Sequence, residues 1–544
     1  MSLVGVVPAV ALVVGAFGGA TTELDGRSLL WSLGCLLVIA ILARGIAPRV
    51  TLALLIGGLT VAGAALAARA RDDALHTPLR RELDAVFGQF APEHLGPEGR
   101  HEPVSARFVL TEDANRFDDI VLLRASAIGV RLRESWQPIR PTGTRLTVAG
   151  SFAQAQWTEW RAGRTIVAPV TFRRPARYLN DGVPDFERAL ALDGTSLLGT
   201  VKSELLVGVE RHGSTLDELA AAARAHVRRS VARRVEPYGA VAGAVTTAVL
   251  VGDRTGLPDD VRTRLQKAGV YHVIAISGGN IAILAGLALL ALAVLGVRGR
   301  LAAGVTILVV LAFSLIVTAG PSVWRATLMA IVSLAARAID HRTPSWHAVA
   351  VAAGAMVVAR PLDVTSPGFI LTFGATVALV EAARRVRLAA ESPAPIRAAP
   401  TSRRRVRAAV MLAWTRWVLP SIAASAAVEL VLMPVSAHAF SRITVAGLVL
   451  NLTAVPLMAL VQSAGLALSI ADRWPIVAEP AAWVAARSAS ALVDSARLVD
   501  VLPWLAWRVP PPSPVVMVVY YAGLGVWLFA TGGYRRAGGV VLGI

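Results

Sequence analysis

Residues 269–294, GVYHVIAISGGNIAILAGLALLALAV, form one apolar run interrupted in its first half by Ser277, Gly278, Gly279 and Asn280. Two adjacent glycines beside a serine and an asparagine hold a helix poorly. In hydrocarbon the backbone groups freed by a break need partners, so a break is tolerated only inside protein or against water. The half-helix that follows presents free N–H groups and the positive end of its dipole, which suits an anion. The competing reading is that small residues simply let a neighbouring helix approach. The second candidate is Arg325 in AGPSVWRATLMAIVSLAARA (319–338), four residues after Pro321 and three after Ser322. An arginine inside an apolar segment must find a carboxylate, a carbonyl cage or a passing phosphate. A static ion pair with Asp253 or Glu429 is the structural alternative. The nine histidines and the single cysteine, Cys35, fall in no metal-ligand spacing, and no G-x-x-x-x-G-K-[ST] pattern occurs. The sequence therefore predicts no catalytic site, no metal and no cofactor, and assigns any motor to a partner.

The elements that must position these residues are membrane helices. Of 544 residues 55% are hydrophobic, and the mean hydropathy is +0.60. The fold class expected is a polytopic α-helical membrane protein with an inserted small all-β, OB-like soluble domain. A net charge of +18 fits basic cytoplasmic loops first and a polyanionic substrate second. One cysteine excludes an intrachain disulfide.

Apolar runs near 2–20, 28–44 and 50–70 predict N-terminal transmembrane helices over 1–70. Arg44 and Arg49 between the second and third place that loop in the cytoplasm, which puts 71–235 outside. Residues 71–103 read as a linker. Over 104–212, five short β-branched, alternating segments suggest a small barrel of the OB type. Asp113 there is a polar position suited to a topology label. Residues 213–236 read as an amphipathic basic helix on the membrane surface, with Leu219, Ala223, Val227 and Val231 on its apolar face. A polytopic domain follows over 237–535, interrupted by an arginine-rich interval, 384–407, expected in the cytoplasm.

GDRTGLPDDVRTRLQKAGVYHVIAISGGNIA (252–282) resembles the signature of the ComEC-type competence family of DNA-uptake channels. Gly252, Asp253, Arg254, Gly256, Leu257, Ala275, Ser277 and Gly278 match, and Asn280 stands where the commonest form has histidine. Pro321, Ser322, Arg325 and Ala326 match a second segment. Pro367, Phe369, Leu371 and Phe373 match a third, in which Ile370 replaces a glutamine and Thr372 a serine. Asn451 and Pro456 resemble the closing stretch. In the soluble part, Asn180, Phe186, Leu190 and Gly194 match, with Glu187-Arg188 in place of Asp-Tyr.

The resemblance implies a multi-pass channel of the inner membrane that passes single-stranded DNA into the cytoplasm during natural transformation. It implies a DNA receptor protein, a separate nuclease and a cytoplasmic motor as partners, beside the lipid bilayer. Ser277, Gly278, Gly279, Asn280, Pro321, Ser322 and Arg325 become candidates for the substrate path. Gly252, Asp253, Arg254, Gly256, Glu429 and Asn451 become motif positions of structural kind. The metallo-β-lactamase-like domain of many members is not found up to Ile544, so nuclease activity is not carried over. The alternatives are a transporter of another anionic or lipid-linked substrate on the same membrane module, and a non-transporting membrane scaffold.

Overall fold

The computed structural model describes residues 6–44, 47–87, 103–117, 120–132, 135–150, 156–176, 185–317, 320–339, 345–390 and 418–529. The chain opens with three apolar helices, α1 (Val6–Thr21), α2 (Gly26–Ala43) and α3 (Pro48–Leu75). Glycines let α1 and α3 touch backbone to backbone. A Cβ on Gly15 would lie 1.8 Å from the Thr60 carbonyl oxygen, one on Gly19 2.1 Å from that of Ala64, and one on Gly63 2.2 Å from that of Leu12. Gly15 and Gly19 are one turn apart on one face, a small-x-x-x-small contact.

The helical character outlasts the apolar run. Good helix formers carry α3 to Leu75, and Pro78 opens α4 (Pro78–Phe87). Residues 71–103 are therefore more than a linker, because α4 delivers Leu79 and Leu83 into the core of the next unit. Residues 88–102 lie outside the described residues.

That unit is a closed sheet. Its strands are β1 (Val104–Leu110), β2 (Asn115–Phe117), β3 (Ile120–Leu132), β4 (Ser135–Ala149), β5 (Thr165–Arg173), β6 (Leu197–Val201) and β7 (Gly208–Arg211). Hydrogen bonding runs β1-β3-β4-β6-β5 and returns from β5 to β1, with β4 and β6 parallel and the other neighbours antiparallel. Alternation along β1 and β5 sends every second residue inward, so Phe108, Ala106, Ile166, Ala168 and Val170 are fully buried. Between β5 and β6, Asp185 caps α5 (Phe186–Leu192), and Gly194, at φ +81°, turns the chain back. Asn180 is outside the described residues. The Glu187-Arg188 pair seats the barrel on the first helices. Glu187 pairs with Arg80 at 2.8 Å, and Arg188 reaches the Ala20 and Thr21 carbonyls at the end of α1.

Next comes α6 (Thr215–Arg234), begun by a capping box of Ser214 and Asp217. It does not present the face expected of a surface helix. Leu219 is 66% exposed, while Ala220, Ala221, Arg224, Ser230 and Val231 are buried. The arginines are drawn inward by acids from distant segments, which outweighs the local amphipathic pattern.

The membrane domain follows as α7 (Ala240–Val251), α8 (Asp259–Lys267), α9 (Tyr271–Ile274), α10 (Gly278–Val294), α11 (Gly299–Ile316), α12 (Pro321–Ala338), α13 (Ser345–Ala359), α14 (Pro367–Ala390), α15 (Leu419–Phe440), β8 (Arg442–Thr444), α16 (Ala446–Ala471), α17 (Pro475–Ser495), α18 (Leu498–Val501), β9 (Ala506–Arg508) and α19 (Pro514–Phe529). Among the described residues five helices are long and apolar enough to cross a membrane: α2, α3 with its extension, α11, α15 and α16. Shorter apolar helices, such as α7 and α10, stand among them. At 1.5 Å per residue, the 12 residues of α7 reach only about 18 Å. The basic interval 384–407 begins as the last turns of α14, and 391–407 is outside the described residues.

Candidate functional site

The apolar run does break. Helix α9 ends at Ile274, Ala275 and Ser277 are extended, and α10 starts at Gly278. The break thus lies at Ala275–Ser277, starting two residues earlier than the polar cluster indicated. Gly278 and Gly279 form the first turn and are exposed. A Cβ on Gly278 would meet nothing within 4 Å. Asn280 is fully buried and turns away from that surface. Its Oδ1 accepts from the Ser277 N–H at 3.1 Å and from the Ser277 hydroxyl at 3.3 Å, capping the helix. Its carbonyl accepts from Gln462 Nε2 on α16 at 2.9 Å. Asn280 is therefore a capping residue, not a lining one.

Helix α12 meets the break. Ser322 donates to the Ile276 carbonyl at 3.3 Å. Ser322 and Arg325 are neighbours on one helix face, so the arginine lies one turn beyond the break. Arg325 is 3% exposed. Its Nε donates to the Thr372 hydroxyl of α14 at 3.2 Å, and its Nη1 is buried without a partner. A Cβ on Gly368 would lie 2.9 Å from Nη2, so that glycine keeps space for the guanidinium. Thr372 keeps a hydroxyl where the related segment has serine, and α14 does supply the polar contact. Ile370 instead lines an apolar cavity of about 480 Å³ with Phe369 and Phe373.

The carboxylate whose field reaches Arg325 is Asp363. Neither partner expected from the sequence is there. Asp253 binds Arg228, and Glu429 faces Gly447 and Asn451. Three helix N-termini, those of α10, α12 and α14, gather around Ser322 and Arg325. Each adds ~0.3–1 kcal/mol of attraction for an anion, next to a cation with a donor to spare.

Gly252, Asp253, Arg254 and Gly256 form a separate cluster at the barrel junction. Gly252, at φ +81°, ends α7. Arg254 lies against the Tyr271 ring at 5.6 Å, and Gly256 closes on Ala244. Asp253 binds Arg228 at 2.8 Å; Arg228 reaches Asp113 of the barrel at 3.1 Å. Arg224 grips the same Asp113 through two bonds, at 2.6 and 2.8 Å, and donates to the Ile316 carbonyl at the end of α11. Asp113 is only 7% exposed, which makes it a poor topology label. Burial alone would raise its carboxyl; the Arg224 hydrogen bond and charge, the Ala162 N–H and Arg228 together hold it below the ordinary aspartate value. Nearer the start of α6, the Arg164 fork holds Glu218 down at about 2. The far end of α6 is held by Asp472, which pairs with Arg233 and Arg234, and by the Ser469 carbonyl, which meets His226. The barrel thus stands over the end of α11, beside the break.

Sequence reasoning missed Gln462, Gly368, Asp363 and Asp113. Gln462 had a signal: it lies three turns after Asn451 on the same face of an apolar helix.

The Arg325 setting makes a prediction. Gly368→Ala should displace the guanidinium from Thr372 and lower the yield of folded protein as Arg325→Ala should, and the double variant should be no worse than either single one. Additive losses of folded protein would show that the two positions act separately.

The chain matches the family model described as Competence protein over residues 249–533. It is 32% identical over 136 residues to ComE operon protein 3 of Bacillus subtilis (strain 168), an alignment covering 25% of this chain and 18% of that protein. The alignment thus spans less than a fifth of that curated relative. No solved structure matches. The family match covers more than half of the chain and contains the break, Arg325, Glu429 and Asn451, and with it this multi-pass membrane protein belongs to the Competence protein family.

Proposed function

We propose that this protein is the inner-membrane channel through which a single DNA strand enters the cytoplasm during natural transformation. The observation that carries the reading is the meeting of three helix N-termini and Arg325 at the break in the apolar run. A strand crossing lipid needs a wet path that screens phosphates without holding them. Exposed N–H groups and one arginine offer several weak sites in place of a single tight one. The closed barrel, read as an OB-type module, stands on the outer side with residues 71–235. Its few exposed aromatics fit a gating or assembly role better than base stacking. A DNA receptor hands over the strand, a separate nuclease makes it single, and a cytoplasmic motor draws it in; this chain performs no catalysis and uses no cofactor.

Deletion of the gene should abolish entry of labelled DNA into the cytoplasm while leaving DNA bound at the cell surface. Normal entry in the deletion strain would remove the reading. Loss restored by wild-type protein but not by the Gly278→Leu protein would tie it to the break.

A further inference from the structure

Helix α15 carries one carboxylate, Glu429, as the eleventh of its 22 residues, in a helix long and apolar enough to cross a membrane. Among the described residues, no hydrogen bond or ion pair reaches this side chain. The backbone around it is, by contrast, satisfied. Pro434 frees carbonyls one turn back, and the hydroxyls of Tyr520 and Tyr521 on α19 donate to the Leu430 and Val431 oxygens at 2.8 and 2.9 Å. The carboxyl turns instead into a notch on α16. A Cβ on Gly447 would lie 2.7 Å from Glu429 Oε1 and 3.6 Å from the Asn451 amide nitrogen. Asn451 Oδ1 is buried and has no donor.

An ionised carboxylate in mid-membrane with no cation carries an uncompensated desolvation cost. Among the described residues, the elements packed on α15 supply no cation to it. Helix α16 has no ionisable residue, α19 offers the two tyrosines, and on α14 Glu381 already holds Arg384 and Arg385. Arg442 of β8 and His438 lie more than two turns further along the chain. The acid form removes the charge and pairs with both ends of the amide: its carbonyl oxygen can accept from the Asn451 nitrogen beside the notch, and its hydroxyl is the donor that Asn451 Oδ1 lacks.

We propose that Glu429 and Asn451 form a proton-binding site in the middle of the membrane domain. The carboxylic acid donates to Asn451 while α15 and α16 are packed over Gly447. Its proton leaves to water when the notch is wetted, so parting of α15 from α16 releases one proton. This goes beyond the DNA path and does not depend on it.

Infrared spectroscopy of the purified full chain in detergent tests it. A protonated-carboxyl C=O band should persist at neutral pH. It should vanish in Glu429→Gln and move to the position of a carbonyl without a hydrogen bond in Asn451→Leu. Absence of the band in the wild type, or its survival in Glu429→Gln, would overturn the proposal. Should the glutamine variant fail to fold, the asparagine variant decides, and a band that does not move there also overturns it. None of these readings involves DNA, so their failure leaves the channel reading standing.

Discussion

Gly278→Leu should leave the protein folded and stop transport. Space is open where the side chain would start, and leucine is a better helix former than glycine. The folded amount should therefore hold or rise. Transport per folded molecule should fall by at least about tenfold, the equivalent of about 1.4 kcal/mol, because the side chain covers the free N–H groups at the start of α10. Gly279→Leu is a weaker test, since its Cβ would already lie 3.4 Å from Met458. If small residues here served only packing, Gly278 is where a large residue would do least. Full transport by the Gly278→Leu protein would dispose of the anion-path reading.

Asp113→Asn should loosen the barrel from the membrane domain. Arg224 is 3% exposed on its side chain and would lose the carboxylate it holds, and Arg228 would keep Asp253. Removing one partner of a buried pair costs ~3–5 kcal/mol. Hydrogen exchange along α6 is the measurement, and exchange unchanged from wild type over 215–234 would refute the role. Acid should mimic the substitution. The folded carboxyl sits below its unfolded value, so its contribution is complete above the unfolded value and is lost as pH falls through the folded one. Protection of α6 against exchange, corrected for the intrinsic pH dependence of the amides, should fall with acidification in the wild type and respond less in Asp113→Asn.

Much of this architecture is legible in the residues. Composition alone sets the membrane class. The period-two alternation at 104–110 and 165–172 marks β1 and β5, because each strand has one face in the barrel core. Ser277 through Asn280 mark a break, although only the fold separates the capping Asn280 from the exposed glycines. What stays hidden depends on long-range pairing. The stripe of arginines on α6 looks like a helix seeking headgroups, since its acids stand about a hundred residues earlier, at Asp113, and well over two hundred later, at Asp472. Arg325 is conspicuous as an intramembrane charge, yet no local pattern says that Thr372 and Gly368 will receive it. The difference is one of sequence distance, since periodicity reports a residue's own element and not what packs against it.

The anchorage of α6 also sets an order of assembly. His226, Arg233 and Arg234 take partners 238 to 243 residues downstream, at Ser469 and Asp472. At common rates of synthesis the ribosome needs roughly 10–50 s to reach them after finishing α6. The barrel strands and the first helices that seat them are complete well before that, so the β unit is anchored at one end while the far end of its arginine helix stays unpaired. Closing that end is then a late step of biogenesis, performed by the last third of the chain. Truncations before Asp472 should leave the barrel folded and the last turns of α6 unanchored.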